Sequence, residues 1–307
     1  MSQTLPASSH SVTLPVLGIS TRFETNSGEV LEIVEEAFGF WRALEASEPY
    51  EARGGGDPLR IRVFVVAGTE GDIPAGGHAA IRSHCPDDAR VVFESPGSVA
   101  ASDPLRGTAI AQVTAGLVAD RMHFRTEMLE AVTLALLSHF DRHPLHAAAV
   151  ARGGRAALLA APSGTGKSTI AHLCHTAGLE LLGDDHVRVQ LEPLVRIWGW
   201  PSRVRLLASD AVSKTVIDVR AGVSAARLVA CDFTVCVLSR DGGPAALVPL
   251  EPAALARALE EQLSPGFDRF PTRWPAVARA LVARPGWRLN LSGDPRDALS
   301  FVHEVLA

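Results

Sequence analysis

The stretch Ala156-Ala157-Leu158-Leu159-Ala160-Ala161-Pro162-Ser163-Gly164-Thr165-Gly166-Lys167-Ser168 runs from an apolar segment of strand length into a loop of the form [AG]-x-x-x-x-G-K-[ST]. Ala161 stands where glycine is commoner. The spacing has a physical reason. Gly164 and Gly166 give the backbone conformations closed to other residues, so consecutive N–H groups can turn inward around a phosphate. Lys167 brings a positive charge to the β- and γ-phosphates, and Ser168 offers a hydroxyl to Mg²⁺. Thr169 to Ala177 reads as a helix whose N-terminus faces the same anion, with Gly178 as its stop. The segment Ser163, Gly164, Thr165, Gly166, Lys167, Ser168 and Thr169 is thus the expected cradle for ATP, with the lysine solvated while the loop is empty. The alternative is a glycine-containing turn that binds nothing.

Two features fall into register with the loop. Asp184-Asp185 ends the strand-like run Leu179-Glu180-Leu181-Leu182-Gly183, and His146 precedes the loop in Pro144-Leu145-His146-Ala147. Beside a Mg-nucleotide, a carboxylate pair has two tasks available: holding the metal, directly or through water, and accepting a proton from an attacking hydroxyl. An aspartate pair at an arbitrary position is more often a solvated turn, and a lone histidine more often structural.

Together these motifs resemble the catalytic core of HPr kinase/phosphorylase. They are more similar still to the HPr-kinase-like proteins of bacterial peptide-modification clusters, including kinases that phosphorylate a serine of lasso-peptide precursors. The likeness is close over about residues 143 to 192 and looser through Pro201-Ser202-Arg203-Val204-Arg205-Leu206 and Thr234-Val235-Cys236-Val237-Leu238. It implies an α/β fold: an HPr-kinase/PEP-carboxykinase-like P-loop nucleotide domain over residues 143–307, behind a smaller N-terminal α/β domain over residues 1–142. It also implies Asp184 as general base, Asp185 and Ser168 as holders of the metal, and His146 near the transferred phosphate. Two departures stand out. Thr169 occupies the place of a glutamate, and no Arg-Gly-Leu-Gly stretch is present. HPr itself is therefore not the expected acceptor.

Composition bounds the function. The 307 residues allow roughly two domains, and 47% hydrophobic content supports real cores. A net charge of −5 and a pI near 6.1 give no basic excess for nucleic acid. No apolar run reaches membrane-spanning length, and the N-terminal residues lack a signal-peptide pattern. Cys85, Cys174, Cys231 and Cys236 have neither metal-site nor disulfide-scaffold spacing, nor do the clustered histidines converge on a zinc pattern. The expected setting is cytoplasmic, without nucleic acid or membrane, and a homo-oligomer is compatible with it.

The remaining elements follow from periodicity. Val12 to Phe23 is expected as one irregular strand. Asn26 to Leu44 reads as a helix capped by Asn26 with Glu29, burying Val30, Ile33, Val34, Ala37, Phe38 and Trp41. Leu59 to Val66 reads as a strand, Ala79 to Ser83 and Arg90 to Glu94 as weaker ones, and Glu51 to Pro58 as a loop. Thr108 to Ala119 and Arg125 to Phe140 are expected as helices, the second beneath the nucleotide domain. Val187 to Leu191 and Ile197 to Trp200 are expected strands, with Trp198 and Trp200 more naturally packing residues than an adenine platform. Phe233 to Leu238 and Ala246 to Leu250 suggest a hairpin around Asp241-Gly242-Gly243. Glu251 to Leu263, Trp274 to Ala283 and Pro295 to Leu306 close the chain as helices, with a loop over Ser264 to Thr272. Among basic residues, Arg203, Arg205 and Lys214 are candidates to reach the phosphates, because phosphoryl transfer needs charge beyond the loop lysine.

The expected activity is ATP-dependent transfer of a γ-phosphate to a hydroxyl, with a serine of a peptide or protein favoured as acceptor. A small-molecule hydroxyl is an alternative acceptor. A non-catalytic ATP-binding switch is an alternative of another class, for which a base at Asp184 has no use. Carboxykinase chemistry would call for further metal-binding His and Lys residues that the sequence does not display.

Overall fold

The computed structural model describes residues 6–44, 57–67, 78–87, 89–200, 203–207, 214–218, 228–261 and 271–307. Most of the expected loops at 51–58 and 264–272, and the expected helix end at Leu263, lie outside them. The chain is mixed α/β and divides into two compact units, Met1–Phe140 and Asp141–Ala307.

The first unit is built on a seven-stranded sheet. Its order is His10–Val16, Ile19–Thr25, Leu59–Val66, Thr108–Thr114, Ser98–Asp103, Val91–Ser95 and Arg82–His84. Three expectations change here. The segment 12–23 is not one strand but a hairpin, because Leu17 and Gly18 both take positive φ (50° and 75°) in the two-residue turn that right-twisted strands favour. Asn26 does not cap the helix Gly28–Phe38. Ser27 does, accepting from the Val30 N–H at 3.4 Å, while the Asn26 amide brackets the main chain of Val65 at 2.8 and 2.9 Å. The expected apolar positions of that helix are buried. Thr108–Thr114 is a central strand rather than a helix, and only Ala115–Ala119 is helical, capped by Thr114. Its alanines suggested a helix, but Ala109, Ala111 and Val113 alternate with less buried neighbours, and strands on both sides satisfy its backbone. Further on, Ala131–Leu137 packs on strands of this same sheet.

The second unit centres on a six-stranded sheet. Its order is Glu180–Gly183, Ala147–Arg152, Arg155–Ala160, Asp232–Ser239, Gly286–Asn290 and Ala246–Pro249. Alternation along its strands feeds two cores. Ala148, Val150, Ala157 and Leu159 face one cluster with Ile170, Cys174 and Val302; Ala147, Ala149, Leu158 and Ala160 face another with Val187, Val189, Ile197, Leu255 and Leu281. A four-stranded sheet, ordered Val229–Ala230, Arg196–Gly199, Val187–Gln190 and His143–Leu145, contributes to the second cluster.

The expected 233–250 hairpin is corrected. Asp232–Ser239 and Ala246–Pro249 do not pair with each other; Gly286–Asn290 inserts between them, parallel to the first and antiparallel to the second. Asn290 secures the arrangement, donating to the Asp241 carboxylate at 2.6 Å and the Pro244 carbonyl at 2.9 Å. Trp198 and Trp200 are buried, and the Trp198 indole N–H donates to Gln190 at 2.7 Å. The closing helices are Pro252–Glu260, Trp274–Val282 and Ala298–Val305.

Candidate active site

The loop leaves the strand Arg155–Ala160 in the middle of the six-stranded sheet and enters the helix Lys167–Thr176. Gly164 has φ 85° and Gly166 φ 119°, conformations an L side chain would strain. The first helical bond runs from the Ile170 N–H to the Gly166 carbonyl at 3.0 Å, and the helix closes on Gly178 (φ 91°), whose N–H donates to the His175 carbonyl at 3.0 Å. Ser163 and Gly164 are exposed, while Thr165, Ser168 and Thr169 are half-buried.

Lys167 departs from expectation. It is not solvated but 6% exposed, its ammonium donating to the carbonyls of Ala161 (2.6 Å) and Pro162 (3.3 Å). Two loop carbonyls replace the water that an empty cradle was expected to supply. Burial pushes its pKa below the ordinary lysine value, and the nearby charges of Asp185 and Asp184 partly restore it.

The aspartate pair is set by a tight turn. Gly183 has no room for a Cβ, which would stand 2.5 Å from the His186 carbonyl oxygen. The backbone folds closely there, and the two carboxylates part company. Asp184 is 2% exposed, whereas the Asp185 side chain is 51% exposed. His146 sits between the strands His143–Leu145 and Ala147–Arg152, its Nε2 3.3 Å from Asp185 Oδ1. Burial and then the Lys167 charge lower the pKa of this imidazole, against the opposing pull of Asp185. Lys167, Asp184, Asp185 and His146 therefore act on one another within a single cluster.

Two residues that sequence reasoning passed over belong to the surroundings. His186 places Nε2 3.5 Å from Asp185 Oδ2 and its ring edge-on to His146, so Asp185 lies between two imidazoles. Its position directly after the aspartates was the available signal. Arg240 donates through Nε to the Thr165 carbonyl at 2.9 Å. It follows the strand beside the loop strand, at the carboxyl end where open α/β sheets bind ligands. Of the basic candidates, Arg203 and Arg205 lie on the strand Arg203–Leu207, which runs beside the loop helix, and Lys214 opens its partner strand Lys214–Asp218. Their side chains fall outside the described residues.

Among the described residues, no three His, Cys, Asp or Glu side chains converge as a metal site. The Ser168 hydroxyl and Asp185 carboxylate are hard oxygen donors of the kind Mg²⁺ takes, and that ion draws most of its ligands from phosphate and water. The residues fit a nucleotide-borne Mg²⁺.

The chain aligns with a solved HPr(Ser) kinase/phosphatase from Coxiella burnetii at 12% identity, over 53% of this chain and 97% of that one, with a TM-score of 0.31. The likeness is distant. No family model matches the chain, and no curated protein matches it. Among the described residues, no helix is long and apolar enough to cross a membrane.

Proposed function

We propose that the chain is an ATP-dependent kinase that transfers the γ-phosphate to a hydroxyl, with a serine of a peptide or protein as the favoured acceptor. The observation that carries this reading is the convergence of a phosphate loop, its lysine, a buried and an exposed aspartate, and a histidine in one charged cluster. A binding loop alone would need only the first two. The preference for a serine acceptor rests on the motif resemblance, residue by residue, at His146, Lys167, Ser168, Asp184 and Asp185.

In this reading the backbone N–H groups of Gly164 to Thr169 and the Lys167 ammonium hold the nucleotide phosphates. Lys167 exchanges its two carbonyl partners for phosphate oxygens, which are stronger acceptors because they are charged. Ser168 and Asp185 would hold the Mg²⁺, which when bound neutralises charge on the β- and γ-phosphates. Asp184 accepts the proton as the acceptor oxygen bonds to the γ-phosphorus and ADP leaves. His146, kept neutral by burial and by Lys167, orients Asp185 without adding charge of its own.

The test follows γ-labelled phosphate. The purified chain with Mg-ATP is offered serine-containing peptides and small hydroxyl metabolites. The expected result is slow hydrolysis alone and, with the right acceptor, label on that acceptor matched to ADP formed. Label released only as free phosphate across the whole panel overturns the kinase reading in favour of a hydrolytic switch. Label on a small molecule but on no peptide overturns the choice of acceptor.

A further inference from the structure

Arg240 stands at the end of the strand Asp232–Ser239, parallel neighbour of the loop strand. Its guanidinium joins two backbones. Nε donates to the Thr165 carbonyl at 2.9 Å, and Nη1 donates to the Ser292 carbonyl at 3.2 Å. Nη2 lies against Gly166, 3.3 Å from where a Cβ would stand. Ser292 is itself held, its hydroxyl 2.8 Å from the Asp294 carbonyl and 2.7 Å from the Asp297 carboxylate. The adjoining Leu291 N–H donates to the Ser239 carbonyl at 2.8 Å, so the anchor continues the pairing of two interior strands of the sheet.

We infer that Arg240 is a positioning residue of the phosphate loop: it fixes the Thr165–Gly166 peptide so that the Gly166 N–H faces the bound phosphate. The inference rests on the nucleotide reading of the loop given above. Its geometry is elementary. In a trans peptide, the carbonyl of one residue and the N–H of the next point in opposite directions. A carbonyl held by the guanidinium on one side therefore sends the Gly166 N–H to the other. Among the described residues that N–H has no main-chain acceptor, whereas the neighbouring Thr165 N–H is taken by the Pro162 carbonyl at 3.4 Å. Gly166 needs the freedom of glycine twice over, for its φ of 119° and for the space Arg240 occupies. The planar fork suits this task because its donors are fixed relative to one another, which a lysine ammonium cannot reproduce. Arg240 thus prepares the loop before a ligand arrives, and Lys167 completes it afterwards.

The test uses Arg240→Gln and Arg240→Lys in the full chain, with two readouts. Amide hydrogen exchange of the ligand-free protein reports the loop directly through the Thr165 and Ile170 N–H groups, and calorimetry with Mg-ADP reports binding. Both variants are expected to exchange faster at these two amides, to melt with the wild type because Arg240 is exposed, and to bind Mg-ADP about tenfold more weakly. Wild-type affinity in Arg240→Lys would mean that charge alone matters, and would overturn the positioning role. So would unchanged exchange in both variants. If the wild type binds no nucleotide while exchange still accelerates in the variants, the nucleotide reading falls and the control of the peptide stands.

Discussion

Replacing Gly199 with alanine tests the packing that sets the aspartate pair. Gly199 ends the buried strand Arg196–Gly199. A Cβ at this position would stand 2.4 Å from the Leu182 carbonyl oxygen, 2.9 Å from its carbon and 3.0 Å from its Cα. All three are backbone atoms, so no side chain can swing aside to make room. Carbon and oxygen approach no closer than about 3.3 Å even in weak C–H···O contacts, so one strand must move by roughly 1 Å. Overpacking costs about 1–3 kcal/mol, and a backbone-to-backbone clash belongs at the upper end, about 2–3 kcal/mol. At about 2–4 °C per kcal/mol for a unit of this size, the melting temperature should fall by roughly 4–12 °C. Leu182 leads through Gly183 directly into Asp184, so the same shift moves the carboxylates. A displacement near 1 Å should cost turnover about 100-fold. Calorimetric melting and initial rates of phosphoryl transfer read the two effects. A variant that melts within about 1 °C of wild type and turns over normally would mean that the contact between Gly199 and Leu182 holds neither the strand nor the carboxylates in place.

Lys167→Met removes a buried charge and leaves the Ala161 carbonyl without its donor, two opposing effects on stability. The melting temperature should therefore change little, while Mg-ATP affinity falls by about 100-fold or more in calorimetry, since hydrogen bonds to charged groups are each worth about 1.5–3 kcal/mol. Asp184→Asn should keep nucleotide binding and lower turnover by about 1,000-fold, the scale of a lost general base, whereas Asp185→Asn should weaken binding that depends on Mg²⁺. Wild-type turnover in both would exclude the pair from the chemistry. His146 gives a pH signature. Burial holds its pKa below the ordinary histidine value, so its contribution to stability is complete above that ordinary value and is lost as pH falls through the lowered one. His146→Gln should narrow the difference in melting temperature between about pH 7.5 and about pH 5, and an unchanged difference would show that this imidazole is not the group being titrated.

Local patterns were legible where local forces decide. The apolar face of the helix Gly28–Phe38 and the stop at Gly178 were readable because helix periodicity and a left-handed C-terminal glycine are short-range properties. Thr108–Thr114 misled because alanine is at home in a helix, and only partner strands on both sides make it a strand. The supposed hairpin after Leu238 failed for a related reason. Its turn residues are real, but the strand that separates its arms comes from residues 286–290, far along the sequence. Asn26 carried the fuller capping signature with Glu29, yet Ser27 caps the helix, because Val65 claims the Asn26 amide.

At the site, the chemistry of the groups could be read from the residues alone: glycines that permit the loop, a lysine and a serine at its end, two adjacent carboxylates and one histidine. Those identities follow from side-chain chemistry and spacing, which need no folded partner. The tertiary structure alone decided their states. It made Asp184 buried and Asp185 exposed, just after a point where the chain packs so closely that a Cβ on Gly183 would meet the His186 carbonyl. It folded Lys167 back onto the carbonyls of Ala161 and Pro162 and brought His186 and Arg240 to the cluster's edge. Burial, electrostatic environment and hydrogen-bond partners are properties of what surrounds a residue: for Lys167 the partners are loop carbonyls a few residues back, whereas Arg240 and His146 are brought to the loop and to Asp185 from strands far along the sequence.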